Sequence, residues 1–290
     1  MKATFSLLAG LALIIGITSG CAVPQANLDE ISAGSTLKPV TIDSKPYSLK
    51  AMVPPDGYYA RLRVYIEGDG HAWATSSTPS LDPTPSTSLT AHFAATDTRP
   101  TVYLARPCQF VMSAGCNQKL WTDERFNASV IEAYNNALNT LKIKYDTTEV
   151  ELIGYSGGGA VALLLAAQRD DVVGVQTIAG NLDTEAWTRA KGLIPLEGSL
   201  NPADYTERLR NIPQRHIVGT QDTTVPFEVT QAYMAKLRGQ CAEVISVDAS
   251  HNEGFEQKWT TMRGTPYACS DKQGRPQALK LVATATAKAD

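Results

Sequence analysis

Ser156 stands in the run Gly154-Tyr155-Ser156-Gly157-Gly158, with Gly159 directly after it. A serine set between glycines suits a sharp turn. The missing Cβ atoms let two chain segments approach closely, and a strained backbone at the serine lifts its hydroxyl clear of the turn. The chemistry this allows is nucleophilic attack. A hydroxyl is a weak nucleophile at neutral pH, so it needs a base within hydrogen-bond reach, and the base needs a group to orient it. The chain offers His71, His92, His216 and His251 as bases. His216 falls inside an apolar strand pattern and reads as a core residue, and His92 lies in a long loop without motif context. His251 follows an apolar run through Asp248-Ala249-Ser250. Asp222 closes Gly219-Thr220-Gln221-Asp222 after another such run, and Asp183 and Asp248 are rival acids. The glycine run lacks the G-x-G-x-x-G spacing of a phosphate-binding loop. The sequence has no H-E-x-x-H and no G-x-x-x-x-G-K-[ST], so neither a metal site nor a cofactor is expected.

These residues need a scaffold, and hydrophobic periodicity supplies one. Strands are expected at 47–53, 61–67, 101–105, 149–153, 172–179, 215–218 and 244–247. In the second of these Leu62, Val64 and Ile66 alternate, with Tyr65 on the other face. Helices are expected at 127–145, where Val130, Tyr134, Leu138 and Leu141 share one face, and at 158–169 and 227–237. Strands alternating with helices predict an α/β fold: a mostly parallel sheet covered on both faces. Ser156 then lies between a strand and a helix, the context its motif requires. Asp222 lies at the carboxyl edge of the sheet, where ligands of open α/β folds gather. Residues 72–97, rich in Ser, Thr and Pro, read as a long loop. Residues 181–210 read as a mixed insertion able to form a lid or a cap, and 270–290 as a polar tail. The pocket candidates His71, Trp73, Trp121 and Arg125 lie in the irregular segments.

The strand–Gly-x-Ser-x-Gly–helix unit, followed by an acid and then a histidine, resembles the α/β-hydrolase superfamily of serine esterases and lipases across residues 46–269. The resemblance implies a catalytic triad in the chain order serine, acid, histidine, which selects Ser156, Asp222 and His251; Gly219 to Pro226 is similar to the segment that carries the family's acid. It also implies two backbone donors for a developing oxyanion. One is the amide of Gly157. The other comes from Glu67-Gly68-Asp69-Gly70-His71, which is similar to the family's His-Gly loop with Glu67 in the histidine's place. That match points to the amide of Asp69, with Gly70 as the alternative. A carboxylate beside an oxyanion would repel it, so the Asp69 side chain must point away or be paired. The expected activity is hydrolysis of a small or polymeric carboxylic ester through an acyl-enzyme, without a cofactor. An amidase, peptidase or acyltransferase would use the same triad. A non-catalytic envelope-binding protein is the reading from another class, and an ordered triad argues against it.

The chain has 290 residues and a net charge of −3, with no basic run of the kind that binds nucleic acid. Residues 1–20 combine a positive start, an apolar run from Leu7 to Ile17 and a small-residue end, the pattern of an export signal. Ile17-Thr18-Ser19-Gly20-Cys21 resembles the lipobox of bacterial lipoproteins, with Thr18 where leucine is most usual. The resemblance implies a lipid on Cys21 and a place in the cell envelope; an ordinary secreted protein, cut just before an unmodified cysteine, is the alternative. Ala22, where some such proteins carry aspartate, favours the outer membrane. Residues 21–45 read as a tether to the domain. Four other cysteines remain, an even number for an oxidising compartment. Loop closure favours partners near in sequence, which pairs Cys108 with Cys116 and Cys241 with Cys269.

Overall fold

A computed structural model describes residues 25–239, 241–270 and 276–278. Eight strands form one sheet: β1 (Lys38–Asp43), β2 (Ser48–Val53), β3 (Arg61–Ile66), β4 (Thr101–Leu104), β5 (Glu149–Tyr155), β6 (Val172–Ile178), β7 (Gln214–Gly219) and β8 (Ala242–Val247). Their order across the sheet is β1-β2-β4-β3-β5-β6-β7-β8. From β4 through β8 every neighbouring pair is parallel, while β2 runs antiparallel to both β1 and β4. The expected α/β architecture is therefore present, and the carboxyl ends of six parallel strands share one edge.

Strand pleating sends alternate side chains to opposite faces, and the two faces carry separate apolar cores. Leu62, Val64 and Ile66 of β3 pack with α3 (Ala128–Tyr145) and α4 (Gly157–Ala166). Tyr65 faces the other way, toward α1 (Leu28–Ser32) and α2 (Leu89–Ala95). Helix α3 buries Val130, Tyr134, Leu138 and Leu141, the stripe read from its period, and Asn127 caps it by accepting from the Val130 amide at 2.9 Å. Helix α4 is buried along its whole length. Among the described residues four further helices follow: α5 (Thr184–Lys191), α6 (Thr206–Leu209), α7 (Phe227–Leu237) and α8 (Glu256–Met262).

Several expectations are corrected. Residues 21–45 are not simply a tether, because α1 and the edge strand β1 lie within them. An edge strand needs only half its ladder, and Pro39 is tolerated there, so its composition looked like linker. The stretch 72–97 holds α2, whose cap Ser88 accepts from the Ala91 amide at 3.0 Å. The insertion 181–210 holds α5, a 3₁₀ turn at Pro202–Tyr205, and α6. In the expected tail, Pro276–Ala278 pairs antiparallel with Ala268–Ser270; the remainder, like residues 1–24 with Cys21, lies outside the described residues.

Helix α8 was not foreseen, and it explains an oddity of the sheet. Arg63 and Arg215 sit on strands yet are buried. Arg63 reaches Glu151 at 2.9 Å and Asp97 at 2.8 Å, and Arg215 reaches Glu243 at 2.8 Å. The C-terminal end of α8 and the turn after it supply carbonyls to both guanidiniums: Arg263 to Arg63, and Met262 and Pro266 to Arg215. These two buried charges are tolerated because each is paired and hydrogen-bonded. Both expected disulfides are formed, Cys108–Cys116 and Cys241–Cys269.

Candidate active site

Strand β5 ends at Tyr155 and α4 begins at Gly157, so Ser156 alone makes the turn. Its backbone adopts φ 52° and ψ −122°, a conformation that side-chain-bearing residues rarely hold. The turn is fixed by the Ser156 amide donating to the Ile178 carbonyl and the Asn181 amide donating to the Ser156 carbonyl, both at 3.0 Å. A Cβ on Gly154 would collide with the backbone of Gly158, which is why glycine stands at the strand end.

Strands β7 and β8 bring the other two groups. The loop after β7 carries Asp222, whose Oδ1 accepts from the amides of Thr224 and Val225, each at 2.9 Å. Its Oδ2 lies 2.8 Å from Nδ1 of His251, and Nε2 of His251 lies 2.9 Å from Oγ of Ser156. Asp222 and Ser156 are buried, and the His251 ring is nearly so. An imidazole held this way can take the serine proton at one nitrogen while the carboxylate fixes its tautomer at the other. The Tyr155 ring packs against His251 in a tilted arrangement, with centroids 5.3 Å apart. Its single hydroxyl proton is shared between the His251 carbonyl at 3.0 Å and Oδ1 of Asn252 at 2.8 Å.

The rival groups are engaged elsewhere. Asp183 caps α5 through the Ala186 amide at 3.1 Å and pairs with Lys236 at 2.8 Å. Burial pushes its carboxyl up, but Lys236 and these hydrogen bonds outweigh burial and hold it below the usual range. Asp248 is exposed and accepts from Gln221 at 2.6 Å. His216 is buried against Thr177 at 2.8 Å, and burial pushes its pKa down to about 3. His92 is exposed on α2, and His71 is bonded through its amide to the Pro83 carbonyl at 2.9 Å.

The loop after β3 borders the serine: a Cβ on Gly68 would lie 3.3 Å from Cβ of Ser156. Its peptide groups are set by two side chains. The Gly68 amide donates to Oε1 of Glu67 at 2.8 Å. The Gly68 carbonyl accepts from Gln109 at 3.0 Å, and in a trans peptide this turns the Asp69 N–H to the opposite side. Among the described residues that amide has no partner. The Gly157 amide opens α4 and has no intrahelical acceptor. The Gly157 amide and the Gly68–Asp69 loop, which carry the two donors expected from the sequence, thus both border Ser156.

The Asp69 carboxylate is paired, as repulsion required. Arg106 reaches its Oδ1 at 3.0 Å and Arg125 its Oδ2 at 2.6 Å. Burial alone would raise this carboxyl, but Arg125 and Arg106 overcome that and hold it below its ordinary value. The carboxylate lies against Gly157, where a Cβ would strike it, so glycine is required there too. Glu67 is buried and accepts from Ser88, from Thr90 at 3.1 Å and from Tyr103 at 2.9 Å; burial nonetheless raises its carboxyl. The sequence places Glu67 in this loop without giving it a role, and it gives no sign that Arg106 and Tyr155 shape the site. Arg106 and Arg125 meet Asp69 across 37 and 56 residues of chain, and no local pattern announces such pairing. Of the pocket candidates, Trp121 is buried, donating to the Ser80 carbonyl at 3.2 Å, and Trp73 is exposed. Arg125 lies over the Trp187 ring, 5.6 Å from its centroid. Among the described residues no cluster of His, Cys, Asp and Glu could hold a metal ion.

No protein-family model and no curated protein matches the chain. Solved structures do match in shape. An esterase of Pyrococcus furiosus, Pf2001, is 15% identical with a TM-score of 0.61, over 84% of this chain and 95% of that one. An alpha-beta serine hydrolase homologue of Coxiella burnetii is 16% identical with a TM-score of 0.52, over 78% and 93%. Est1E of Butyrivibrio proteoclasticus, solved with ferulic acid bound, is 14% identical with a TM-score of 0.54, over 77% and 95%. At these identities the likeness is one of fold, and that fold is the α/β hydrolase.

Proposed function

We propose that the protein is a serine hydrolase acting on carboxylic esters, exported and held in the cell envelope by a lipid on Cys21. The observation that carries the enzymatic reading is the relay of 2.8 Å and 2.9 Å from Asp222 through His251 to Ser156. In this reading Ser156 Oγ attacks the ester carbonyl as His251 Nε2 takes its proton. Asp222 holds the other ring nitrogen and stabilises the imidazolium. The amides of Gly157 and Asp69 receive the oxyanion. The tetrahedral intermediate collapses, His251 protonates the departing alcohol, and water repeats the sequence to free the acid. Among the structural neighbours, Pf2001 bears the name esterase, which favours esters over amides.

A fluorophosphonate probe and paired p-nitrophenyl esters and anilides test the reading. Labelling with ester turnover supports it; anilide turnover exceeding ester turnover would make the chain an amidase, and failure to label would leave a binding protein. The anchor has its own test. A clickable fatty acid should label the wild type and not Cys21→Ser, whereas equal labelling of both would exclude it.

A further inference from the structure

The first described residues are fastened to a particular place. Gln25 donates to Oδ2 of Asp82 at 2.7 Å, and the Ala26 amide donates to the Pro85 carbonyl at 2.8 Å. That segment touches the loop beside Ser156. The Pro83 carbonyl accepts from the His71 amide at 2.9 Å, and a Cβ on Gly70 would collide with the same carbonyl. The chain therefore enters the domain at the carboxyl edge of the sheet, next to the Gly68–Gly70 turn that borders Ser156.

Covalent geometry makes this position informative. Ala22, Val23 and Pro24 separate Cys21 from Gln25. Even fully extended, they allow the two Cα atoms to part by at most about 14 Å. A lipid on Cys21 would thus hold the bilayer close to this edge of the domain. The same segment bears unpartnered apolar groups. Leu81 is 87% exposed and Trp73 is 42% exposed. Trp73 pairs with Pro79 across an isolated bridge, and the Ser80 amide donates to the Ala72 carbonyl at 3.0 Å, so residues 72–81 form one small excursion. Leucine bare to water is unfavourable, and tryptophan partitions to membrane interfaces.

We propose that the 72–81 excursion seats on the bilayer that carries the Cys21 lipid, so that the Ser156 site opens toward the membrane and draws esters whose acyl chains lie in it. This rests on both readings above, the ester hydrolase and the anchor. The bilayer is the occupant because the short link to Cys21 brings it to this surface; nothing comparable brings a second copy or another protein there.

The test uses the full-length lipidated protein in vesicles of phosphatidylethanolamine and phosphatidylglycerol, with and without lipids brominated on their acyl chains. Bromine should quench part of the wild-type tryptophan emission, and that part should be missing in Trp73→Phe. A second form carries a Gly/Ser spacer of about 20 residues between Pro24 and Gln25, which lowers the effective concentration of the domain at the surface. Its hydrolysis of a long-chain p-nitrophenyl ester in the vesicles should fall by roughly tenfold, with p-nitrophenyl acetate in solution unaffected. Wild-type emission indifferent to bromine would overturn the proposal, whether a second copy shields Trp73 or the surface stays in water. Equal turnover of the vesicle ester with and without the spacer would overturn it as well. Failure to hydrolyse either ester would instead overturn the hydrolase reading, while the quenching would still decide the orientation.

Discussion

The Tyr155 hydroxyl lies 3.0 Å from the carbonyl of His251, so the residue before the candidate nucleophile holds the loop that carries the candidate base. The ring of Tyr155 also packs against Gly68. One side chain thus spaces the serine, the histidine and the oxyanion loop.

Tyr155→Phe keeps the ring and removes the hydroxyl. The bond to the His251 carbonyl is partly buried, and such a hydrogen bond is worth about 1 kcal/mol net. Turnover of a p-nitrophenyl ester should fall by about tenfold with KM little changed, as expected if the imidazole wanders in the transition state. Unchanged kcat would mean that the His251 loop is held by other contacts.

Asp222 and Asp183 should respond differently to the same substitution. Asp222→Asn leaves the backbone amides a partner but presents the wrong tautomer of His251, and a loss on the order of 10⁴ in kcat is expected. Asp183→Asn removes the charge at the start of α5 that faces Lys236 of α7, which should lower the melting temperature and leave most turnover intact. The reverse pattern in a kinetic comparison would transfer the acid's role to Asp183.

Asp69→Asn keeps the backbone amide and uncovers two buried cations, Arg106 and Arg125. Breaking a buried ion pair from one side costs about 3–5 kcal/mol, which urea unfolding at neutral pH should register. Because the folded carboxyl is held low, its stabilisation is complete above the ordinary carboxylate range and disappears as the pH falls through the depressed value. The variant should lack that part of the acid-side loss. Equal stability of the two proteins at neutral pH would contradict the buried pairing.

His216 sets a second pH dependence of known sign. Its pKa drops from 6.5 to about 3 on folding because burial disfavours the charged ring. Below pH 6.5 the unfolded chain takes up a proton that the folded one refuses, so stability is full above that value and falls with acid. The slope from this one group is about 1.4 kcal/mol per pH unit. His216→Gln should flatten the stability curve over that window. A parallel curve for the variant would show that the ring is protonated in the fold.

The sequence made much of this site readable. Ser156 lay between a strand and a helix whose periods were plain, and the order of Asp222 and His251 along the chain followed from the family resemblance. Other features had no local signature. Strand β1 is an edge strand with few large apolar residues, so it resembled linker. Nothing near Arg63 or Arg215 announces their burial, because α8, whose end and following turn receive both guanidiniums, comes later in the chain. The pairing of Asp69 with Arg106 and Arg125 exists only once β3, β4 and the segment before α3 are assembled.

The central claim is that Ser156 is the nucleophile, and adduct mapping tests it most directly. The full-length protein would be treated with a fluorophosphonate, digested and sequenced by mass spectrometry, alongside Ser156→Ala. One adduct is expected, on Ser156, with labelling and ester turnover both lost in a variant that melts as a folded protein. An adduct on another residue, or undiminished labelling of Ser156→Ala, would contradict it.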